Sequence, residues 1–243
     1  ITQIIEDPDK ASGNPMARMF GGGMELKMNE PIYFTTYNRT SKENGLAMKE
    51  IKKKGIKKIV EGPYTFGNFM YSKGGKGKKP VFVYARGNFE EGNNLFASYD
   101  NFKTQKQLSD INPQQREYNW GTVELVNWQT ADDIFCEGLL FKPEDFDPNK
   151  KYPVMIYFYE KNANTLYRHR NPTPSRSTVN IPYFVSNGYV VFVPDVYFTD
   201  GHPGQSAMKS IMPGVEMLEK TYPWIDGENM AIQGQSWGGY QVA

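Results

Sequence analysis

Apolar residues fall along this chain in two rhythms. Through residue 119 they come in short, partly alternating runs such as Pro31-Ile-Tyr-Phe-Thr-Thr-Tyr37 and Pro80-Val-Phe-Val-Tyr-Ala-Arg86, each followed by a polar, Gly- and Asn-containing turn (residues 38–45 and 87–94). That is how antiparallel hairpins read when one face is packed and the other wet. From Trp120 onward the runs lengthen. Thr122-Val-Glu-Leu-Val-Asn127 and Ile134-Phe-Cys-Glu-Gly-Leu-Leu-Phe141 read as strands joined by a turn at Ala131-Asp132-Asp133. Tyr152-Pro-Val-Met-Ile-Tyr-Phe-Tyr159 and Tyr189-Val-Val-Phe-Val193 are almost unbroken, which suits a sheet covered by helices on both faces. The expected helices are residues 181–187 and 206–221. The second carries Met208, Ile211, Met212, Val215 and Leu218 at helical spacing, with Pro213 marking a kink or a start. A short run, Met230-Ala-Ile232, closes the β–α alternation.

The first half repeats. Pro31 corresponds to Pro80 and Leu46-Ala-Met-Lys49 to Leu95-Phe-Ala-Ser98, a constant offset of 49 residues. Each unit ends in a lysine- or glutamine-flanked strand, Lys57-Lys-Ile-Val60 and Gln105-Lys-Gln-Leu108. Four short strands per 40 to 50 residues is the pattern of a β-propeller blade, so one full blade and most of another are expected. A closed propeller needs about four blades or more, which places the others before Ile1.

Composition narrows the partners. At 39% apolar and 14% aromatic residues the chain is globular, and Lys+Arg 28 against Asp+Glu 27 gives no electrostatic reason to expect nucleic acid. The basic stretches 49–58 and 73–79 are glycine-spaced and sit at hairpin turns, so they read as solvated loops. Gly21-Gly22-Gly23 follows no strand and precedes no Lys-Ser/Thr, which argues against a phosphate-cradling loop. The single Cys136 excludes an intrachain disulfide and any multi-cysteine metal site. It reads as a small buried side chain. The longest apolar runs are far too short to span a bilayer. No cofactor is implied.

Chemistry concentrates at the end of the chain. Gly234-Gln-Ser-Trp-Gly238 fits G-x-S-x-G, the nucleophile elbow of α/β-hydrolases, and Gly239 follows. A serine on so tight a strand-to-helix turn needs neighbours without bulk two residues to either side, because strand and helix approach closely there. The helix that follows presents free N–H groups to a developing negative charge. Residues 1–119 are therefore read as the C-terminal part of a β-propeller. Residues 120–243 are read as the N-terminal half of an α/β-hydrolase domain, through its nucleophile.

The chain resembles the prolyl oligopeptidase family of serine peptidases, particularly its dipeptidyl-peptidase-IV-like and acylaminoacyl-peptidase-like branches. The residues that carry the resemblance are Lys151-Tyr-Pro-Val-Met-Ile-Tyr-Phe-Tyr159, Gly188-Tyr-Val-Val-Phe-Val-Pro-Asp195 and Ile232-Gln-Gly-Gln-Ser-Trp-Gly-Gly-Tyr240. The resemblance implies a propeller covering a hydrolase domain and an activity on short peptides. It implies Ser236 as nucleophile, with the Tyr159 hydroxyl and the Trp237 backbone N–H as oxyanion donors. Where the family follows this tyrosine with small residues, Glu160-Lys161-Asn162 stand here.

In α/β-hydrolases the triad runs Ser, Asp/Glu, His, and only Gln241, Val242 and Ala243 remain after Tyr240. The acid and histidine are therefore expected beyond Ala243, and the segment alone is expected to be inactive. Asp195, His202 and Ser236 stand in the Asp, His, Ser order of subtilisins, a rival set disfavoured because subtilisins lack the elbow. His169, between Arg168 and Arg170, reads as an exposed loop residue. Two alternatives stay open: a non-catalytic binding protein of the same architecture, and an esterase of the same fold. Compartment stays open, and so does a homodimer.

Overall fold

Each half of the repeat builds an antiparallel sheet of four strands. In the computed structural model, which describes residues 3–5, 30–72 and 79–243, β1 (Gln3–Ile5), β2 (Pro31–Tyr37), β3 (Asn44–Glu50) and β4 (Lys57–Gly62) pair in sequence order. So do β5 (Thr65–Ser72), β6 (Val81–Gly87), β7 (Asn94–Ser98) and β8 (Lys106–Gln107). The turns repeat at side-chain level. Asn38 Oδ1 accepts from Thr40 N and Ser41 N, and Asn88 Oδ1 accepts from Glu90 N and Glu91 N, so each hairpin is closed by the same Asx turn.

The repeat is thus fuller than expected, because β1 and β5 give both sheets a fourth strand. Strand β5 escapes the alternating pattern for a physical reason. Asn68 takes φ +50° and the pairing with β6 shifts between Gly67 and Met70, so a bulge resets which side chains face inward. Aromatic rings fill the core of this unit. Tyr33 of the first sheet lies 4.8 Å from Tyr71 and 5.2 Å from Phe82 of the second, ring centroid to centroid, and Tyr84, Phe96 and Phe102 continue the cluster. Residues 52–58 of the basic loop are exposed, as expected of a solvated turn. Gly21–Gly23 and residues 73–78 lie outside the described residues.

The chain divides into two units, Ile1–Asn112 with Tyr167–His169, and Pro113–Leu166 with Arg170–Ala243. The second holds β9 (Thr122–Gln129), β10 (Phe135–Lys142), β11 (Tyr152–Phe158), α1 (Ile181–Ser186), β12 (Val190–Pro194), α2 (Pro203–Thr221), β13 (Ile225–Gly234) and α3 (Trp237–Val242). Its five strands stand in the order β13-β11-β12-β10-β9. β10 runs antiparallel to β9 and β12, while β11 is parallel to β12 and β13. Every residue of the central β12 is buried, as a strand covered on both faces requires.

Helix α2 begins at Pro203, and Pro213 sits inside it rather than starting it. A proline at the first helical position suits the unpaired N–H groups there. The interior one removes a donor. Beside it Trp128 Nε1 donates to the Ser210 carbonyl at 2.8 Å. Gly214 packs against the same indole, where a Cβ would come 2.8 Å from the Trp128 ring. Strand β13 starts at Ile225, earlier than its apolar run suggests, because Ile225 pairs with Tyr152 before the register shifts. Among the described residues no helix is long and apolar enough to cross a membrane.

Candidate active site

Ser236 stands where β13 gives way to α3. Its backbone adopts φ +54° and ψ −115°, a left-handed conformation costing a non-glycine residue about 1–3 kcal/mol and persisting only where packing imposes it. The glycines permit that packing. A Cβ on Gly234 would strike the Gly238 carbonyl. One on Gly238 would strike the Phe158 carbonyl and lie 3.4 Å from Tyr159 Cα. Gly239 is under less pressure, its Cβ position lying 3.3 Å from Gly234 O. Gly238 N donates to Gln235 O at 2.9 Å and Tyr240 N to Ser236 O at 3.0 Å, closing the turn around the serine. Ser236 is exposed, and its hydroxyl makes no capping bond to α3.

Tyr159 follows the last residue of β11. Phe158 pairs with Gly234 across the parallel strands, so Tyr159 and Ser236 leave the sheet at the same edge, on neighbouring strands. Tyr159 is 37% exposed. Trp237 opens α3, where its N–H has no intrahelical acceptor. Its ring stacks on Tyr240 at 5.5 Å, with Phe198 6.1 Å away.

The residues after Tyr159 are held firmly. Val196 N donates to Glu160 O at 2.9 Å. Asn162 N and Ala163 N donate to Asp195 Oδ1 at 2.5 and 2.9 Å, and Lys161 Nζ lies 4.1 Å over the Tyr197 ring. The Glu160-Lys161-Asn162 segment, larger than the small residues expected there, is therefore accommodated by contacts to the end of β12.

Those contacts dispose of the subtilisin-like order. Asp195 is 3% exposed. Burial raises its pKa, the two backbone donors oppose that, nearby Glu137 adds to it and Lys161 opposes it. No hydrogen bond joins it to His202 among the described residues. His202 instead precedes α2, its carbonyl accepting from Ser206 N and Ser206 Oγ. His169 falls with the first unit, its Nδ1 3.1 Å from Asn88 O. Cys136 is fully buried, and burial first, with Asp195 and Asp132 adding, pushes its thiol up to about 11. The role of Asp195 is the feature sequence reasoning missed. An acid directly after an apolar strand was the available signal, and in the sequence it reads only as a member of a disfavoured triad, not as a clamp.

No family model matches the chain. Dipeptidyl peptidase 8 of Mus musculus is 28% identical over 128 residues, covering 48% of this chain and 14% of the relative. Dipeptidyl-peptidase 5 of Porphyromonas gingivalis is 23% identical over 231 residues, covering 87% of this chain and 31% of the relative. Among solved structures, the acylaminoacyl peptidase of Pyrococcus horikoshii superposes with a TM-score of 0.61 at 17% identity, over 88% of this chain and 33% of that one. The chain's relatives are dipeptidyl peptidases, and its fold neighbours are peptidases of the prolyl oligopeptidase family, as the sequence resemblance implied. It spans between 14% and 33% of the length of the three proteins just compared.

Proposed function

We propose that this chain carries the nucleophile and both oxyanion donors of a serine peptidase acting on short peptides. The observation that carries the reading is Ser236 held at φ +54° between a strand and a helix. Strand order β13-β11-β12-β10-β9, antiparallel at one end and parallel at the other, supports an α/β-hydrolase half. The two successive four-stranded sheets support propeller blades in the first half.

In this reading Ser236 Oγ attacks the peptide carbonyl carbon and gives its proton to an imidazole. The carbonyl oxygen becomes an oxyanion held by the Trp237 N–H and the Tyr159 O–H. The carbon–nitrogen bond then breaks as the imidazole protonates the leaving amine, and water releases the acyl group by the same route. Asp195 is committed to backbone donors, so the imidazole is not held by an Asp195–His202 pair. We assign the acid and histidine to sequence outside these 243 residues.

A fluorophosphonate probe tests the reading. The full-length gene product is expected to label at Ser236, its Ser236→Ala variant to lose both labelling and turnover of short peptides, and residues 1–243 alone to stay unlabelled. A folded full-length protein that neither labels nor cleaves would make this a binding protein. Retained peptidase activity in Ser236→Ala would move the nucleophile elsewhere.

A further inference from the structure

The turn that follows Tyr159 is fastened to the end of β12 at three points. Val196 N donates to Glu160 O at 2.9 Å, and the Asp195 carboxylate accepts from Asn162 N at 2.5 Å and Ala163 N at 2.9 Å. On the other flank, the Gly238 Cβ position lies 3.4 Å from Tyr159 Cα, so the first turn of α3 rests against the Tyr159 backbone. The Tyr159 backbone thus lies between a turn tied to the end of β12 and the helix α3, which starts at Trp237. Two strands of a parallel sheet deliver the serine and the tyrosine to the same edge, but they do not fix where the tyrosine's peptide turns. The only side chain among the described residues seen to bind that turn's backbone N–H groups from β12's end is Asp195.

We propose that Asp195 is a positioning residue for the oxyanion donor Tyr159. It acts through the Asn162 and Ala163 N–H groups and does not touch substrate. The proposal rests on the reading of Tyr159 as an oxyanion donor. A buried carboxylate is an expensive way to close a turn, since an asparagine or a water would satisfy two N–H groups as well. What an anion adds is short, strong acceptance, which holds the turn tightly. Tight holding matters here because an oxyanion donor has to stand about 2.7–3.1 Å from where the charge develops. A shift of about 1 Å can cost about a hundredfold in rate. Two further contacts agree. Lys161, inside the turn, lies 4.1 Å over the Tyr197 ring. Asp195 N itself donates to Glu137 O at 2.8 Å, so the clamp is anchored in turn to β10.

The test is a double-mutant cycle in the full-length gene product, read as kcat and KM on a short peptide substrate. Tyr159→Phe is expected to lower kcat about a hundredfold or more. Asp195→Ala is expected to lower kcat about tenfold to a hundredfold with KM within about twofold. Asp195→Asn keeps the Oδ1 acceptor but loses the charge, and is expected to lower kcat by less than Asp195→Ala, about threefold to tenfold. The double variant Tyr159→Phe/Asp195→Ala is expected to be no slower than Tyr159→Phe alone, because the aspartate acts only through the tyrosine.

Additive losses in the double variant, or an Asp195→Ala enzyme with unchanged kcat beside a crippled Tyr159→Phe, overturn the positioning role and leave the oxyanion reading standing. An unchanged Tyr159→Phe overturns both. If Asp195→Ala does not accumulate folded, Asp195→Asn decides alone: an unchanged kcat beside a crippled Tyr159→Phe, at unchanged melting temperature, overturns the proposal.

Discussion

The carbonyl oxygen of Phe158 fills the space that a side chain on Gly238 would need. The demand for glycine two residues after the serine therefore comes from the neighbouring strand β11 as well as from the turn. A methyl group there has to push strand and helix apart, and overpacking of that kind costs about 1–3 kcal/mol. Gly238→Ala is expected to lower the melting temperature of the second unit clearly. Gly239→Ala, whose Cβ meets Gly234 O at 3.3 Å and Gly234 C at 3.7 Å, is expected to move it little. Thermal unfolding followed by circular dichroism separates the two, and equal shifts would contradict the steric account.

Much of this was legible in the chain. The offset from Pro31 to Pro80 announced a repeated sheet, because alternating side chains and an Asx turn are local features. The glycines around Ser236 announced a tight strand-to-helix turn, because its strain is local too. Strand β5 was not legible: its bulge at Gly67-Asn68 breaks the alternation on which strand recognition depends. The start of β13 was hidden by Asp226-Gly227-Glu228-Asn229, which reads as a polar turn although Ile225 already pairs with Tyr152. The role of Asp195 was not legible for a deeper reason. Its partners, Asn162 and Ala163, lie more than thirty residues away, and nothing local distinguishes a clamp from a catalytic acid.

Trp128 and Gly214 make a second steric pair, on the opposite part of the sheet. The indole packs closely against the helix at Gly214 and donates to Ser210 O at 2.8 Å. Gly214→Ala places a methyl 2.8 Å from the ring and is expected to destabilise by about 1–3 kcal/mol. Trp128→Phe removes the indole donor to Ser210 O, a hydrogen bond contributing about 1 kcal/mol. Combined as Trp128→Phe/Gly214→Ala, the two are expected to cost less than their sum, since the smaller ring vacates space beside the helix. Denaturant unfolding of the three variants measures this. Strict additivity would place the two residues in separate contacts.

Cys136 is expected to be chemically silent. It is fully buried, and its thiol is held up at about 11 chiefly by burial. At pH 8 the thiolate fraction falls roughly a hundredfold or more below that of a free cysteine. Ellman's reagent should therefore find no reactive thiol in the native protein and one per chain in concentrated urea. Rapid native labelling would mean that β10 opens far more readily than its place between β12 and β9 implies.

Alkaline pH should loosen the first unit through Tyr84. The ring is fully buried, its hydroxyl donates to Gln105 Oε1 at 2.7 Å, and burial pushes its pKa up to about 12, with Arg86 opposing. In the unfolded chain the same phenol ionises near about 10. Below about pH 10 both states hold the proton and stability does not change. Between about 10 and 12 the unfolded state releases it first, so unfolding gains and stability falls with rising pH. The share due to one tyrosine is about 2–3 kcal/mol across that window. Tyr84→Phe forfeits the hydrogen bond, about 1 kcal/mol at neutral pH, but is expected to flatten the alkaline slope. Urea melts of both proteins at pH 8, 10 and 11.5 decide the matter, and parallel slopes would assign the alkaline loss to other tyrosines, Tyr33 first among them.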